Sequence, residues 1–319
     1  MALFTGAIIP FMHLSVSAQC LVYPEAGGKK VKTLQTKGKF TKTKVDKGLN
    51  YYFYQSVDEI SGVPQTVYVT EIDLDCGRYN VVFHYGGDST SSAAIKHNAV
   101  AAINGTYEPD ACYIRTNGVN HHEVKIPSGH LRFWKHNGAI VGDGGSKVAI
   151  INGARGQEAT DEGGEKAIAL YKSLSEPNVF SSAPMLIDDY DLVGARYVPV
   201  ELIGSDFKQF QYEDYRRHQG VRHPRVAVAL TEDNDLLLIV VDGRNPKASG
   251  MSARELTLFI ARHFNPRWAL NMDGGGSSTM YIKGLGDPIT NVLNYPTDNK
   301  KIDHYGQRRI CSHILVTRR

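Results

Sequence analysis

A run of three glycines after a short apolar segment constrains this chain more than any other feature of its sequence. The run stands in Asp273-Gly274-Gly275-Gly276-Ser277-Ser278-Thr279, directly after the strand-like residues 268–272. Three consecutive glycines are costly in chain entropy, so such a run indicates unusual backbone dihedrals or a ligand close to the backbone. Its N–H and O–H donors suit an anion such as phosphate. We therefore predict an anion-binding loop formed by Gly274, Gly275, Gly276, Ser277 and Ser278.

Two familiar glycine motifs do not fit this loop. The spacing G-x-x-x-x-G-K-[ST] of a nucleotide P-loop is absent, and so is the G-x-S-x-G pattern of a serine nucleophile. The sequence thus disfavours a P-loop NTPase and gives a serine hydrolase little support.

Two predicted strands of the C-terminal half each lead to an aspartate followed by glycine. Residues 225–230 and 236–241 form a predicted hairpin that ends at Asp242, and a capping box at Ser252 opens a helix that leads to the strand before Asp273. The helix between the second and third strands suggests that these two strands run parallel. We therefore expect both carboxylates at one edge of the sheet.

The preceding part of the chain is rich in strand patterns. Residues 66–74 and 79–84 look like two neighbouring strands, and the apolar run 99–103 ends at Asn104-Gly105, a good position for a functional group. Residues 117–161, rich in glycine and asparagine, predict a loop-rich insert with solvated histidines. Together the segments predict an α+β fold: a mixed β-sheet core packed with a few helices, rich in loops, with the cleft at strand ends.

The N-terminus predicts export. Residues 2–16 are largely apolar but fall short of the ~20 residues that cross a bilayer. Val16-Ser17-Ala18 fits a signal peptidase site, so we expect residues 1–18 to be a signal peptide cleaved after Ala18 and expect no transmembrane segment. A buried N-terminal strand or helix stays open as the alternative.

The charge of the chain is unevenly distributed. Of the net +3 over 319 residues, the stretch from Lys29 to Lys47 contributes +7, which leaves the rest mildly acidic. No basic reading element follows, so nucleic acid is not an expected partner. Alternating Lys and Thr is typical of an exposed edge strand. We divide the chain into 1–18, a Lys-rich segment 19–64 and a domain 65–319.

The four cysteines leave two interpretations open. Cys20, Cys76, Cys112 and Cys311 could form up to two disulfides in an exported protein, with connectivity undetermined, or remain buried thiols. Because no pair has C-x-x-C spacing, a zinc thiolate site or a redox dithiol is disfavoured.

The glycine loop and five further segments resemble one known family. Asn271 to Met280 resembles the signature of the phosphodiester glycosidases, and the other segments occur in the family's order between about residues 93 and 316. These are Ala101 to Tyr107, Ser181 to Leu186, Pro224-Arg225 with Val241 to Arg244, Gly250 to Ser252, and Asn294 to Asp298 with Gln307 to Arg309. The chain departs from the pattern at Thr106, Glu108, Ser182, Ala183 and near Ser312, which leaves the substrate open.

The resemblance implies an exported glycoside hydrolase that cleaves a sugar, N-acetylglucosamine for example, from a sugar-1-phosphodiester. The resemblance assigns phosphate recognition to Arg225, Arg244 and Arg308 together with the glycine loop, since arginine pairs bidentately with phosphate. Asp242 and Asp273 become candidates for nucleophile or general base, and Asn104 would orient the sugar or a water. Glu108 is a weaker acid candidate.

Two alternatives to this hydrolase remain open at this point. The chain could be a non-catalytic glycan-binding protein of the cell surface, or a metal-dependent phosphodiesterase that cuts on the phosphorus side. The sequence requires no cofactor and identifies no metal ligands, although Asp242 and Asp273 could share a divalent cation.

Overall fold

The computed structural model describes residues 40–319 and has an α+β fold, as expected. Residues 1–39, with the predicted signal peptide and Cys20, lie outside the described residues. The four α-helices are α1 (Thr90–Lys96), α2 (Asp161–Ser173), α3 (Tyr215–Gly220) and α4 (Ala253–Phe264). Short 3₁₀ helices occupy Leu74–Cys76, Phe133–His136, Val193–Arg196, Val200–Leu202, Phe207–Gln209 and Gly275–Ser277.

Sixteen strands within residues 40–319 form three sheets. The strands are β1 (Phe40–Asp46), β2 (Leu49–Val57), β3 (Pro64–Asp73), β4 (Tyr79–Asp88), β5 (Ala99–Asn104), β6 (Ile114–Thr116), β7 (Val119–His122), β8 (Gly138–Gly142), β9 (Val148–Asn152), β10 (Asn178–Ser182), β11 (Met185–Asp188), β12 (Arg225–Leu230), β13 (Asp235–Val241), β14 (Trp268–Asn271), β15 (Met280–Ile282) and β16 (Ile310–Arg318). Their orders are β1-β2-β3-β13-β12-β14-β11, β7-β6-β10-β8-β9 and β15-β5-β16-β4. The sheets, which we expected to be mixed, are antiparallel at every described pairing.

The central strands of the seven-stranded sheet are buried on both faces. In β12, Val226 and Val228 point into a core shared by all three sheets, whereas Ala227 and Ala229 face the side that α4 covers. Side chains alternate between the two faces of a strand, so burial of both faces requires a continuous apolar run. This burial explains why residues 225–230 and 236–241 carry almost no polar side chains.

The N-terminal strands belong to the same sheet as the rest of the domain. β1 is an edge strand whose residues 41–44 are exposed, as the alternation of Lys and Thr predicted. β2 pairs with β3 along its whole length, from Leu49 opposite Ile72 to Val57 opposite Pro64. The sequence division at residue 65 therefore falls within a continuous sheet.

Two local predictions are wrong. β3 and β4 do not pair, because the 3₁₀ turn Leu74–Cys76, capped by Asp73 and followed by Gly77 at φ +71°, carries the chain from the seven-stranded to the four-stranded sheet. The supposed loop-rich insert at 117–161 contains β7, β8 and β9 of the five-stranded sheet. Its short strands are separated by glycine turns, which hid the apolar pattern.

β13 and β14 run in the same direction with antiparallel β12 between them. The expected parallel pair is thus not adjacent, but the predicted consequence holds. Both strands end at the sheet edge where β12 begins, so Asp242 and Asp273 follow strand ends at that edge.

The three cysteines of the described structure, Cys76, Cys112 and Cys311, are free thiols.

Among residues 40–319, no helix has both the length and the apolar character that a bilayer span requires.

The capping box of α4 supplies a stability prediction. Ser252 Oγ accepts from the Glu255 N–H at 3.2 Å, and Glu255 Oε2 accepts from the Ser252 N–H at 2.9 Å. We expect Ser252→Ala to lower the free energy of unfolding by about 1 kcal/mol, because a helix N–H loses its acceptor. Urea unfolding checks this, with exposed Ser128→Ala as the control, and equal midpoints for both variants would contradict the role of the cap.

Candidate active site

A cavity of about 340 Å³ lies at the sheet edge where β14 ends and β12 begins. Its basic lining residues are Lys135, Arg225, Arg244 and Arg308, and its acidic ones are Glu108, Glu213 and Asp273. Gly274, Gly275 and Gly276 complete this part of the wall. The structure thus brings Asp273, the glycines and all three predicted arginines to one cavity.

The buried side chain of Asn104 holds the glycine loop at both ends. Its Nδ2 donates to the Asp273 carbonyl at 2.7 Å, and its Oδ1 accepts from the Thr279 N–H at 3.0 Å. The Asp273 N–H donates to the Gly105 carbonyl at 3.0 Å, which joins β14 to the end of β5 in the neighbouring sheet. Asn104 does not line the cavity. Its contacts are therefore those of a residue that positions the loop, rather than one that touches a substrate.

The local structure explains why glycine occupies positions 275 and 276. Gly275 has φ +64°, a left-handed conformation that glycine adopts without steric cost. A Cβ at Gly276 would lie 2.8 Å from Asp298 Oδ1 and 2.9 Å from an Arg308 guanidinium nitrogen. The loop can therefore approach Arg308 only because residue 276 has no side chain.

The loop's backbone donors are largely engaged within the protein. The Gly275 N–H donates to the Pro224 carbonyl at 2.8 Å, and the N–H groups of Ser277 and Ser278 make long 3.4 Å contacts to carbonyls of the loop. Ser277 and Ser278 are both buried, and neither lines the cavity. Fewer backbone N–H groups than predicted are therefore free to bind an anion. Anion binding in this cavity depends more on the guanidinium groups.

Asp273 is partly exposed at the cavity and has a strongly perturbed acidity. Burial raises the pKa of its carboxyl to about 7, and the Glu108 charge adds to this. A hydrogen bond with Ser277 and the positive charges of Lys135 and Arg308 lower the pKa without reversing the shift. Near neutral pH the group is therefore divided between its acid and base forms, as a catalyst of proton transfer requires.

Arg244 is the exposed cation of the cavity with the weakest internal contacts. Its nitrogens lie 3.4 Å from Thr297 Oγ1 and 3.4 Å from His223 Nδ1, and among residues 40–319 it makes no ion pair. Its backbone has φ +60°, which is uncommon for a residue with a side chain. Burial and neighbouring arginines lower the pKa of His223 to about 3, so that imidazole is neutral at pH 7. The guanidinium is thus free to bind an anion.

The other two predicted arginines are more constrained. Arg308 pairs with Asp298 through two nitrogens, at 2.5 and 3.0 Å, and reaches Ser277 Oγ at 3.4 Å. Arg225 is almost fully buried, and four of its five N–H donors bind protein oxygens: the carbonyls of His218, Val221 and Met251, and Gln219 Oε1. Burial lowers the pKa of Arg225 to about 10, so it remains charged at neutral pH. It contributes mainly its positive field.

Asp242 lies outside the lining of the cavity. Its oxygens accept from the Tyr68 hydroxyl at 3.0 Å, Asn294 Nδ2 at 3.1 Å and the Tyr295 N–H at 3.1 Å. Burial raises its pKa to about 6. Asn294 Nδ2 also donates to the Ser278 carbonyl at 2.8 Å, so Asp242 supports the far side of the glycine loop. This geometry separates Asp242 from Asp273, the residue with which it was expected to share substrate or a cation.

Sequence reasoning missed several residues of the cavity. Lys135 comes from the segment interpreted as loops, and Glu213, His218 and His223 precede the Pro224-Arg225 segment. Lys135 stands beside Phe133 and Trp134, so an apolar context around a lysine was the available signal. No group of three or more His, Cys, Asp or Glu side chains within residues 40–319 is arranged to hold a metal ion.

Comparison with known proteins now decides the family. Residues 97–317 match the phosphodiester glycosidase family. The chain belongs to this family. The matched region begins just before β5 and ends in β16, so it contains Asn104, the glycine loop, Arg225, Arg244 and Arg308.

Two solved structures share the fold. The zebrafish N-acetylglucosamine-1-phosphodiester alpha-N-acetylglucosaminidase catalytic domain, auto-inhibited by its pro-peptide, matches with a TM-score of 0.57 and 17% identity, over 88% of this chain and 87% of that one. A hypothetical protein from Synechocystis matches with a TM-score of 0.54 and 14% identity, over 89% and 64%. At these identities the likeness concerns the fold.

One curated relative shares a short segment. The uncharacterized protein YomE, derived from the SPbeta prophage of Bacillus subtilis (strain 168), is 35% identical over 92 residues. The match covers 25% of this chain and only 14% of the relative's length.

The raised pKa of Asp273 predicts that replacing this residue increases stability in a pH-dependent way. The folded pKa of about 7 exceeds the reference 3.8, so ionisation costs folding free energy as the pH rises between these values. We expect Asp273→Asn to raise the melting temperature relative to the parent protein at pH 8 and to lose most of that advantage at pH 3, below both pKa values, where both states largely hold the proton. Exposed Glu201→Gln is the control, and an equal shift at both pH values would contradict the assignment.

Proposed function

We propose that this protein is a hydrolase that cleaves the bond between the anomeric carbon of a sugar and the phosphate of a sugar-1-phosphodiester. The products are the free sugar and a phosphomonoester. One observation carries the proposal: the Asp273 carboxyl and the Arg244 guanidinium line the same cavity. A titrating carboxyl beside an exposed arginine suits a reaction that expels phosphate from an electron-poor carbon.

The leaving group explains why one reactive carboxyl can suffice. A phosphate departs with less help from a proton than an alcohol does, because its second pKa is near ~6. Arg244 and Arg308 stabilise the negative charge that develops on the phosphate oxygens as the C1–O bond breaks. The electron pair of that bond leaves with the phosphate, and C1 acquires oxocarbenium character.

We assign Asp273 as the general base. In its ionised form it takes a proton from the water whose oxygen attacks C1, and the proton later passes to solvent. A base with a pKa of about 7 is well matched to neutral pH. Asn104 acts indirectly, since it fixes the Asp273 carbonyl and thereby the direction of the carboxyl.

The proposal also states where the enzyme acts and which sugar it releases. We propose that residues 1–18 direct export and are removed after Ala18, so the enzyme acts outside the cytoplasm. N-acetylglucosamine is the first sugar to test, because the zebrafish relative is named for that sugar.

Hydrolysis in ¹⁸O-labelled water tests the reaction and the role of Asp273. With a methyl phosphodiester of N-acetylglucosamine, we expect label in the released sugar, inversion at C1, and a loss of about 10³-fold or more in kcat for Asp273→Asn, since the base is gone. Mass spectrometry and NMR of the products read these outcomes, with Glu201→Gln as the control.

Each other result has a distinct meaning. Label in the phosphate would replace the proposal with cleavage on the phosphorus side. Retention at C1 would make Asp273 the nucleophile, and full activity of Asp273→Asn would remove it from the chemistry. Binding without any product would indicate a glycan-binding protein.

Arg244 provides the second prediction for this function. Arg244→Met keeps an unbranched side chain that replaces most of the arginine stem but removes the charge, and we expect kcat/KM to fall by about 10²-fold, since a charge-assisted contact to phosphate is lost. Arg244→Lys should recover only part of this loss, because lysine lacks the planar fork. Steady-state kinetics checks both, with exposed Arg78→Met as the control, and an Arg244→Met variant as active as that control would rule out the role.

A further inference from the structure

A carboxylate–ammonium–carboxylate cluster lines the same cavity, and the reaction proposed above assigns it no contact with the substrate. Lys135 Nζ lies 3.0 and 2.8 Å from the two oxygens of Glu108 and 2.7 Å from Glu213 Oε2. We call these three residues the acidic wall.

The ammonium group of the wall is committed to the two carboxylates. Lys135 is 1% exposed, its Nζ lies 5.0 Å from the centre of the Tyr107 ring, it donates to both oxygens of Glu108, and it forms an ion pair with Glu213. The ammonium group is therefore engaged by the two carboxylates. Its fixed position in turn holds both carboxylates at the cavity.

The carboxylates, by contrast, remain open to a ligand. The side chains of Glu108 and Glu213 are 47% and 33% exposed, and both residues line the cavity. Two negative charges against one positive charge give the wall a net charge of −1. An ionised carboxylate only accepts hydrogen bonds, so the wall suits hydroxyl donors and repels anions.

We propose that the acidic wall is the glycosyl subsite and that it selects sugars without a negative charge. This inference rests on the proposed function, in which Arg244 and Arg308 hold the phosphate. The sugar of the same substrate then lies on the wall, where its hydroxyl groups donate to Glu108 and Glu213. A glycosyl group with its own carboxylate meets like charge there and is excluded.

A binding experiment tests the selection without turnover. The full chain carrying Asp273→Asn is titrated by calorimetry with the methyl phosphodiester of N-acetylglucosamine and with its analogue oxidised to a carboxylate at C6. The two ligands differ only at C6, where a carboxylate replaces the hydroxymethyl group, so the charged ligand also lacks one hydroxyl donor. We expect the neutral sugar to bind about tenfold or more tightly than the charged one, because like charges in contact are strongly disfavoured.

Variants of the wall attribute the preference to named residues. Adding Glu108→Gln removes one negative charge and keeps the shape, so the preference should fall to about threefold or less. Glu213→Gln serves in the same way if the first variant does not fold, and Glu201→Gln should leave the preference unchanged. Equal affinities for the two ligands, no binding of either, or a preference that survives both wall variants would overturn the proposal.

The result separates this inference from the proposed function. If the neutral sugar is preferred but the wild-type enzyme releases no sugar from the diester, the hydrolase proposal fails and the glycosyl subsite stands. If sugar is released from both diesters with similar kcat/KM, the hydrolase stands and the subsite fails.

Discussion

The two hydrogen bonds of the Asn104 side chain are the contacts on which the site depends. Asn104 ends a strand of the four-stranded sheet, whereas Asp273 and Thr279 bracket the loop that follows a strand of the seven-stranded sheet. One buried amide therefore fixes the loop between two sheets. A buried amide left unpaired would cost about 1–3 kcal/mol, so loss of Asn104 would disturb both the loop and the joint between the sheets.

Around this joint, the charged side chains of the cavity differ in their contacts. Arg225 is held by protein oxygens and supplies positive potential, Arg308 is balanced by Asp298, and Arg244 is left for an anion. Asp273 lies among them with its pKa raised to about 7, because the protein around it opposes ionisation more strongly than the nearby cations favour it. The destabilising ionisation of Asp273 is the property on which its proposed role as a general base rests.

Local patterns predicted much of this arrangement. The hairpin 225–241, the capped helix α4 and the strand before Asp273 were visible because apolar period and capping residues are local signals. The sequence did not predict that Asp273 lines the cavity whereas Asp242 does not. Both follow strand ends at one edge, yet the closing segment with Asn294 and Tyr295 covers Asp242 and leaves Asp273 open, and that segment lies about fifty residues further along the chain.

The sequence by itself determined that this chain has an α+β fold with a glycine loop at a strand end, and its family resemblance predicted that Asp273 and three arginines, which line one cavity, lie together. This was possible because the apolar pattern of strands, the helix-capping residues and the family signature each depend on residues that are close together in the sequence. Only the tertiary structure decided which groups face the cavity. The exposure of Arg244, the burial of Arg225 and the placement of Lys135 between Glu108 and Glu213 all depend on contacts between segments distant in sequence, and such contacts leave no local pattern.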